Sequence, residues 1–288
     1  MRKLEPDFLH AFTKGHLQSL AQRVREDKDL DLQIRENYIN IYYKGHSLLK
    51  LNSNFSGESE FAKNVEALSK IKLDTPATTK EFIDQIPFLK EEVIKNRIKT
   101  NKQNLEGEYE QLIIRANNLE KKTTSEYYII DRQYQTSKEE KANRFDLTGF
   151  YWNNESPKSN SVVPLSFLEV KFGLNQDIQN LDEQLGRYYG YVKNNINDLI
   201  QEYKVMLDQR LQLGLYNQSE EKLQALKKIK FSKDINEFYF HVVLVDYNPK
   251  SSYVVTAREK LKRLSFAKQI RIFYKGFALW HDDGEKLI

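Results

Sequence analysis

The chain has 288 residues and a formal net charge of +4, with 40% hydrophobic and 30% charged residues, as in soluble globular proteins with a real core. It contains no cysteine, and no apolar run approaches the roughly 20 residues of a membrane span, which excludes disulfides, thiolate zinc sites and transmembrane helices. The start lacks the apolar stretch of a secretory signal, so we expect a cytoplasmic protein.

The sequence begins with a predicted helix followed by a small antiparallel sheet. Apolar residues at roughly helical spacing, such as Phe8 and Leu20, predict a first helix over residues 6–25. Alternating hydrophobicity then predicts a meander of three strands, at residues 30–34, 39–43 and 49–51.

A polar stretch over residues 53–79 indicates loops with a short helix. Thr78-x-x-Glu81 matches a capping box, and Pro87 fits the first turn of a following helix. We therefore assign residues 1–100 to an N-terminal α+β region with a helix, a three-stranded meander and further helices.

Residues 101–288 are predicted as an α/β core in the order α-β-β-β-α-β-α-β, with a mixed sheet flanked by helices. Residues 153–161, which contain proline, asparagine and serine, are predicted as a hairpin loop. The elements are predicted at residues 105–116, 127–130, 144–152, 162–172, 178–203, 238–247, 257–264 and 269–274.

Charged residues interrupt two neighbouring predicted strands of this core. Asp146 follows apolar Phe145, and the next strand carries Glu169 and Lys171 on one face with Val170 on the other. Burying a glutamate and a lysine among apolar residues is costly unless they are paired or hold a metal. An ordinary buried pair beside an edge aspartate is the alternative to a catalytic site.

The two carboxylates suit a divalent metal, because Mg²⁺ prefers hard oxygen ligands. A hairpin connection would bring Asp146 and Glu169 side by side, and the backbone carbonyl of Val170 would add a further oxygen. Lys171 faces the same way as Glu169 and is placed to hold the attacking water.

This pattern resembles the PD-(D/E)XK nuclease superfamily, in which Asp and Glu bind a divalent metal and Lys assists the attacking water. The resemblance implies a restriction-endonuclease-like core and Mg²⁺- or Mn²⁺-dependent hydrolysis of phosphodiester bonds. It also implies DNA as the expected substrate and a role in host defence, repair or restriction. Phe145 stands where the family name has a proline.

Two further features extend the resemblance. Gln184 and Tyr188 lie four residues apart on one helix face and resemble the Gln-x-x-x-Tyr motif of helicase-linked and phage-type exonuclease branches. The alternative is a polar fringe with Tyr188 packed in the core. Superfamily members commonly carry a metal-associated Glu on the helix before the strands, for which Glu110 is the better match and Glu106 the weaker one.

The resemblance thus implies catalytic roles for Asp146, Glu169, Lys171, Gln184, Tyr188 and Glu110. It implies metal ligation by Asp146, Glu169, Val170 and Glu110.

Positive charge is concentrated towards the C-terminus. Residues 222–275 contain 13 Lys or Arg and 4 Asp or Glu, a balance of +9 that leaves −5 for the rest of the chain. Such a block suits contact with phosphate backbones, although solvated helix faces are the alternative. The candidate nucleic-acid-binding residues are Lys227, Lys228, Lys230, Arg258, Lys262 and Arg263.

Two other functions compete with a DNA nuclease: an RNase, and a catalytically silent nucleic-acid-binding or protein-interaction module of the same fold. The complete set Asp146, Glu169, Lys171 and Gln184 favours an enzyme. A homodimer and a partner protein are both left open. The five histidines lack metal-ligand spacing, and the sequence has no Gly-rich phosphate loop.

Overall fold

The structure, a computed structural model, describes residues 1–62, 68, 70–101, 104–120, 125–135, 144–153, 161–173 and 175–277. Two helices, α1 (Pro6–Thr13) and α2 (Gln18–Glu26), stand where one helix over residues 6–25 was predicted. The chain turns at Gly15, where a Cβ atom would lie 2.8 Å from the backbone of Ala11. Only glycine allows this close approach, which explains the break.

The N-terminal sheet has five antiparallel strands, so the prediction of a three-stranded meander was incomplete. They are β1 (Leu30–Ile34), β2 (Tyr38–Tyr43), β3 (His46–Asn52), β4 (Ser56–Glu58) and β5 (Ile71–Lys72). The three predicted strands correspond to β1, β2 and β3. Strands β4 and β5 have only three and two residues, too few to show an alternating pattern.

A long helix, α3 (Pro76–Thr100), follows β5. Its capping box involves Thr75 and Thr78, because the Thr75 hydroxyl accepts from the Thr78 amide at 3.1 Å and Thr78 Oγ1 accepts from the Thr75 amide at 3.2 Å. The box therefore begins three residues before the predicted one. Pro76 occupies the first turn and Pro87 lies inside the helix, so the prediction for Pro87 was wrong.

The core begins with α4 (Leu105–Ile114), which a π-helical turn (Arg115–Leu119) continues. The later strands are β6 (Tyr127–Gln135), β7 (Arg144–Tyr151), β8 (Val162–Val163), β9 (Leu165–Phe172), β10 (Lys230–Phe231), β11 (Tyr239–Val245) and β12 (Ile270–Lys275). The later helices are a 3₁₀ segment (Gln176–Asn180), α5 (Leu181–Asn194), α6 (Ile196–Gln212), α7 (Glu220–Lys228) and α8 (Ser252–Leu261).

The predicted helix over residues 178–203 is two helices, because the chain leaves helical geometry at Asn195. The Asn195 side chain donates to the Tyr191 carbonyl at 2.8 Å and so competes with the helical backbone bond. Helix α7 and strand β10 were not predicted. Most of the loop predicted at 153–161 falls outside the residues described.

The main sheet has the spatial order β6-β7-β9-β11-β12, antiparallel from β6 to β9 and parallel from β9 to β12. The prediction of an α/β protein with a mixed sheet is thereby confirmed. Phe167 of β9 packs into the main core with residues of α5 and α6, whereas Leu168 and Val170 join a smaller cluster with Ile114 of α4. Side chains of β9 therefore face helices on both sides.

The predicted boundary at residue 100 coincides with the end of α3, where Asn101 has a φ of 50°. The regions on either side share one hydrophobic core. Asp131 of β6 is buried and accepts from Arg35 Nη1 at 2.7 Å, and it also contacts Arg2. In the ranges that the structure covers, no helix has the length and hydropathy needed to cross a bilayer.

Candidate functional site

Asp146 and Glu169 lie where strands β7 and β9 part. The antiparallel pairing between these strands ends at Leu147 and Leu168. One residue further, the Asp146 carboxylate accepts a hydrogen bond from the Val170 amide at 2.9 Å. The side chain thus satisfies a backbone donor that the strand ladder leaves free. Val170 contributes its amide here, and metal ligation by its carbonyl stays a prediction.

An irregularity in the sheet accompanies this divergence. Gln133 lies between Arg132 and Tyr134, which pair with Leu147 and Phe145 on either side of Asp146, and it has a φ of 52°. This left-handed conformation is uncommon outside glycine, asparagine and aspartate. Phe145 packs in the main core while Leu147 packs in the smaller cluster, so the alternation of β7 is interrupted at Asp146.

A polar cavity of about 170 Å³ lies at this end of the sheet. One water occupies about 30 Å³ in the liquid, so the cavity has room for several. All the side chains that line it are polar or charged, and they carry three acidic and three basic groups. They are Glu106, Arg144, Asp146, Glu169, Lys171, Gln184, Arg187 and Tyr188.

Hydrogen bonds from two directions fix the Glu169 carboxylate. Lys171 Nζ donates to Glu169 Oε1 at 2.5 Å, and the Tyr188 hydroxyl lies 2.7 Å from Glu169 Oε2. Gln184 Nε2 donates to the same hydroxyl at 2.9 Å. The two residues of the Gln-x-x-x-Tyr pattern therefore share a helix face. Gln184 contacts Tyr188, and Tyr188 in turn contacts Glu169.

Burial and neighbouring charges shift the pKa of three residues that line the cavity. Burial raises the pKa of Asp146 well above its usual range, and the nearby Glu169 and Glu110 carboxylates raise it further. Burial lowers the pKa of Lys171, but the adjacent Glu169 carboxylate outweighs this effect and the pKa is raised. Burial, Glu169 and Asp146 also raise the pKa of Tyr188. Lys171 and Tyr188 therefore keep their protons at neutral pH, whereas Asp146 loses its proton only at a higher pH than an exposed aspartate does.

The two glutamates of α4 have different surroundings. Glu110 is buried, and its Oε2 accepts from Arg132 Nε at 2.5 Å and from Gln133 Nε2 at 3.2 Å. Burial raises the pKa of Glu110, against the influence of Arg132. Glu106, one turn earlier, lines the cavity. The better sequence match is thus engaged by an arginine beside the cavity, and the weaker match lies on its wall.

The donor set fits Mg²⁺ or Mn²⁺ with water completing the coordination. No cluster of three His, Asp or Glu side chains able to hold a metal occurs in the covered part of the chain. Mg²⁺ in proteins commonly keeps several waters and uses only one or two carboxylates, together with substrate phosphates. Asp146 and Glu169 match that pattern, and a divalent cation would offset the unfavourable burial of Asp146.

The predicted nucleic-acid-binding lysines lie away from the cavity. Lys227 and Lys228 are exposed at the end of α7, and exposed Lys230 pairs with Val162. Val162 precedes Glu169 by seven residues. Val162 belongs to β8, which pairs with β10 outside the main sheet, and none of the three lysines lines the cavity.

The second basic group lies nearer to the helix that carries Gln184. Helix α8 packs beside the start of α5, where Lys260 Nζ lies 3.7 Å from Asp182 Oδ1 and donates to the Gln179 carbonyl at 2.8 Å. The exposed members of this group lie on or just after α8, and they are Arg258, Lys262 and Arg263.

Arg144 and Arg187 line the cavity, although sequence reasoning gave neither a role. Spacing is the signal that identifies them. Arg144 precedes Asp146 by two residues on β7, and Arg187 follows Gln184 by three residues on α5. The separation on α5 places Arg187 on the helix face of Gln184, and the one on β7 keeps Arg144 close to Asp146.

No protein-family model matches the sequence, and neither a curated protein nor a solved structure is significantly similar to the chain.

Proposed function

We propose that this protein is a divalent-metal-dependent nuclease of the PD-(D/E)XK type, built on a restriction-endonuclease-like core. One observation carries the proposal. Two strands and one helix bring Asp146, Glu169, Lys171, Gln184 and Tyr188 to a single polar cavity. The mixed main sheet, in which helices α5 to α7 and α8 connect its parallel strands, supports the same conclusion.

The residues that would hold Mg²⁺ or Mn²⁺ are Asp146 and Glu169. When bound, the ion would polarise the scissile phosphate and lower the pKa of a coordinated water. Lys171 keeps its proton beside Glu169, so it donates a hydrogen bond to the attacking water or a phosphate oxygen and does not act as the base. Tyr188, held by Gln184, keeps Glu169 oriented towards the cavity.

The proposed substrate is a nucleic acid, with DNA expected from the resemblance. The exposed cations of α8 adjoin the helix that supplies Gln184 and Tyr188, so they are placed to contact a phosphate backbone. A role in host defence, repair or restriction follows from the resemblance alone.

The test is incubation with labelled single- and double-stranded DNA and RNA, with Mg²⁺, Mn²⁺ or EDTA. We expect cleavage of DNA that EDTA abolishes and that Asp146→Asn lacks. Mg²⁺ binding measured by calorimetry should disappear in the same variant. Cleavage restricted to RNA would identify an RNase. Nucleic-acid binding without cleavage or Mg²⁺ binding would identify a silent module and overturn the proposal.

A further inference from the structure

Arg144 and Arg187 differ from the other cations around the candidate site. Lys171 is paired with Glu169, and Arg132 is paired with Glu110. Within the covered residues, neither the Arg144 nor the Arg187 guanidinium makes a hydrogen bond or an ion pair. Both residues are exposed and both line the acid cavity. Two unpaired guanidiniums beside a cavity are available to bind an anion.

The charge of the cavity indicates how much anion it can accept. Its lining carries three acidic and three basic side chains, a formal balance of zero. A divalent cation would bring the balance to +2. One phosphodiester carries a single negative charge, so the scissile phosphate leaves one positive charge uncompensated. A second phosphate within reach of the arginines would neutralise the site.

Both arginines lie close in the chain to residues of the acidic cavity. Arg144 lies two residues before Asp146 on β7 and lines the same cavity, and its carbonyl contacts the Tyr188 hydroxyl. Arg187 directly precedes Tyr188 on α5. Both arginines therefore adjoin Tyr188, whose hydroxyl lies 2.7 Å from Glu169 Oε2.

We propose that Arg144 and Arg187 form a subsite for the phosphate next to the scissile one, an inference that rests on the proposed nuclease function. A guanidinium offers a planar fork of donors that matches two phosphate oxygens, which an ammonium group does not. The subsite would set which bond along the strand enters the cavity. The two arginines are thus specificity-determining residues rather than participants in bond cleavage.

The experiment uses oligonucleotides in which one phosphate at a time is replaced by an uncharged methylphosphonate. One position beside the cleavage site should lower kcat/KM of the wild type by roughly 10- to 100-fold, the range for a hydrogen bond to a charged group. Arg187→Ala and Arg144→Ala should show a comparable decrease on the unmodified strand. Modification at that position should then lower their kcat/KM little further, because the arginine–phosphate interaction is already absent.

Lys193→Ala is the matched control, since Lys193 is exposed on the same helix but lies outside this cavity. It should behave like the wild type. Arg187→Lys should recover only part of the activity, because a point charge replaces the fork. The subsite would be overturned if the arginine substitutions and the methylphosphonates lowered kcat/KM additively at every modified position. It would also be overturned if the arginine variants had the same kcat/KM as Lys193→Ala.

Affinity for the same oligonucleotides in Ca²⁺ separates the two proposals. If the wild type binds the oligonucleotides but does not cleave them with any metal, the proposed nuclease function is refuted. The subsite is then tested by comparing dissociation constants. The same non-additive pattern in those constants would support the subsite, and equal constants in wild type and arginine variants would reject it. A wild type that neither binds nor cleaves would overturn both.

Discussion

Asp146→Asn should stabilise the metal-free protein while it abolishes the proposed activity. The substitution preserves the size of the side chain and an oxygen that can accept from the Val170 amide, now at 2.9 Å. It removes a buried charge. Burial, with Glu169 and Glu110 nearby, raises the pKa of Asp146 well above its ordinary value.

The sign and size of the effect follow from proton linkage. A carboxyl whose pKa is raised in the folded state binds its proton more tightly there, so it contributes stability at low pH that is lost as pH rises through the folded pKa. Asparagine has no proton to lose. Below about pH 4 the variant and the wild type should therefore have the same free energy of unfolding. Above the folded pKa of Asp146 the variant should be more stable, by about 1.4 kcal/mol for each unit by which folding raises that pKa.

The assay is urea or thermal unfolding in EDTA at about pH 4 and about pH 8, where a gain of 1 kcal/mol raises Tm by roughly 2–4 °C. Asp74→Asn is the control, because Asp74 is exposed. Adding Mg²⁺ should stabilise the wild type alone, by about 2.7 kcal/mol for an ion at 100 times its Kd, and so reduce the difference between the two proteins. An Asp146→Asn protein no more stable than wild type at pH 8 would refute the buried-charge reasoning.

Three further predictions concern the cavity and the basic surface. Lys171→Ala should remove cleavage but leave DNA affinity in Ca²⁺ nearly intact, because binding is spread over many cations; a matching decrease in affinity would make Lys171 only a phosphate contact. Gln184→Ala should slow cleavage less than Tyr188→Phe, since Gln184 reaches Glu169 only through the Tyr188 hydroxyl, and the reverse order would contradict this series. Alanine substitution of all three lysines of the first basic group, Lys227, Lys228 and Lys230, should make DNA affinity less dependent on salt. The slope of log K against log salt should fall by up to about one unit for each lysine–phosphate interaction removed. An unchanged slope would show that these lysines form only a solvated surface.

The hydrophobic pattern was sufficient to predict the strands of the main sheet. Strand β9 is buried on both faces, so its charged residues stood out against apolar neighbours. Two of the errors lie where one residue changes the local backbone. Gly15 divides the first helix by its close approach to Ala11, and Asn195 divides the later helix through a side-chain bond. Neither effect alters hydrophobic periodicity, and so neither was visible in it.

The placement of Glu169 and Lys171 on one face follows from strand alternation alone, and Gln184 and Tyr188 follow from helix spacing. The choice between Glu106 and Glu110 does not, because the two lie four residues apart on the same helix. The structure distinguishes their surroundings, because Glu110 pairs with Arg132, 22 residues away in sequence, whereas Glu106 lines the cavity; the metal-associated role of either stays a prediction. No local pattern contains that information.

The left-handed Gln133 is equally invisible in the sequence, and its surroundings show why the N-terminal region belongs to the site. Gln133 follows Arg132, whose guanidinium packs 4.5 Å from the centre of the Tyr42 ring of β2. Asp131, on the other side of Arg132, is paired with Arg35 at 2.7 Å.

Buried ion pairs add little net stability because both charges are desolvated, but breaking one is costly. We therefore expect them to hold β6 in one arrangement more than they strengthen the fold. In that arrangement the residues on either side of Gln133 pair with the residues on either side of Asp146, at the point where β7 and β9 part. The N-terminal sheet thus supports the geometry of the acidic cavity, even though none of its residues lines it.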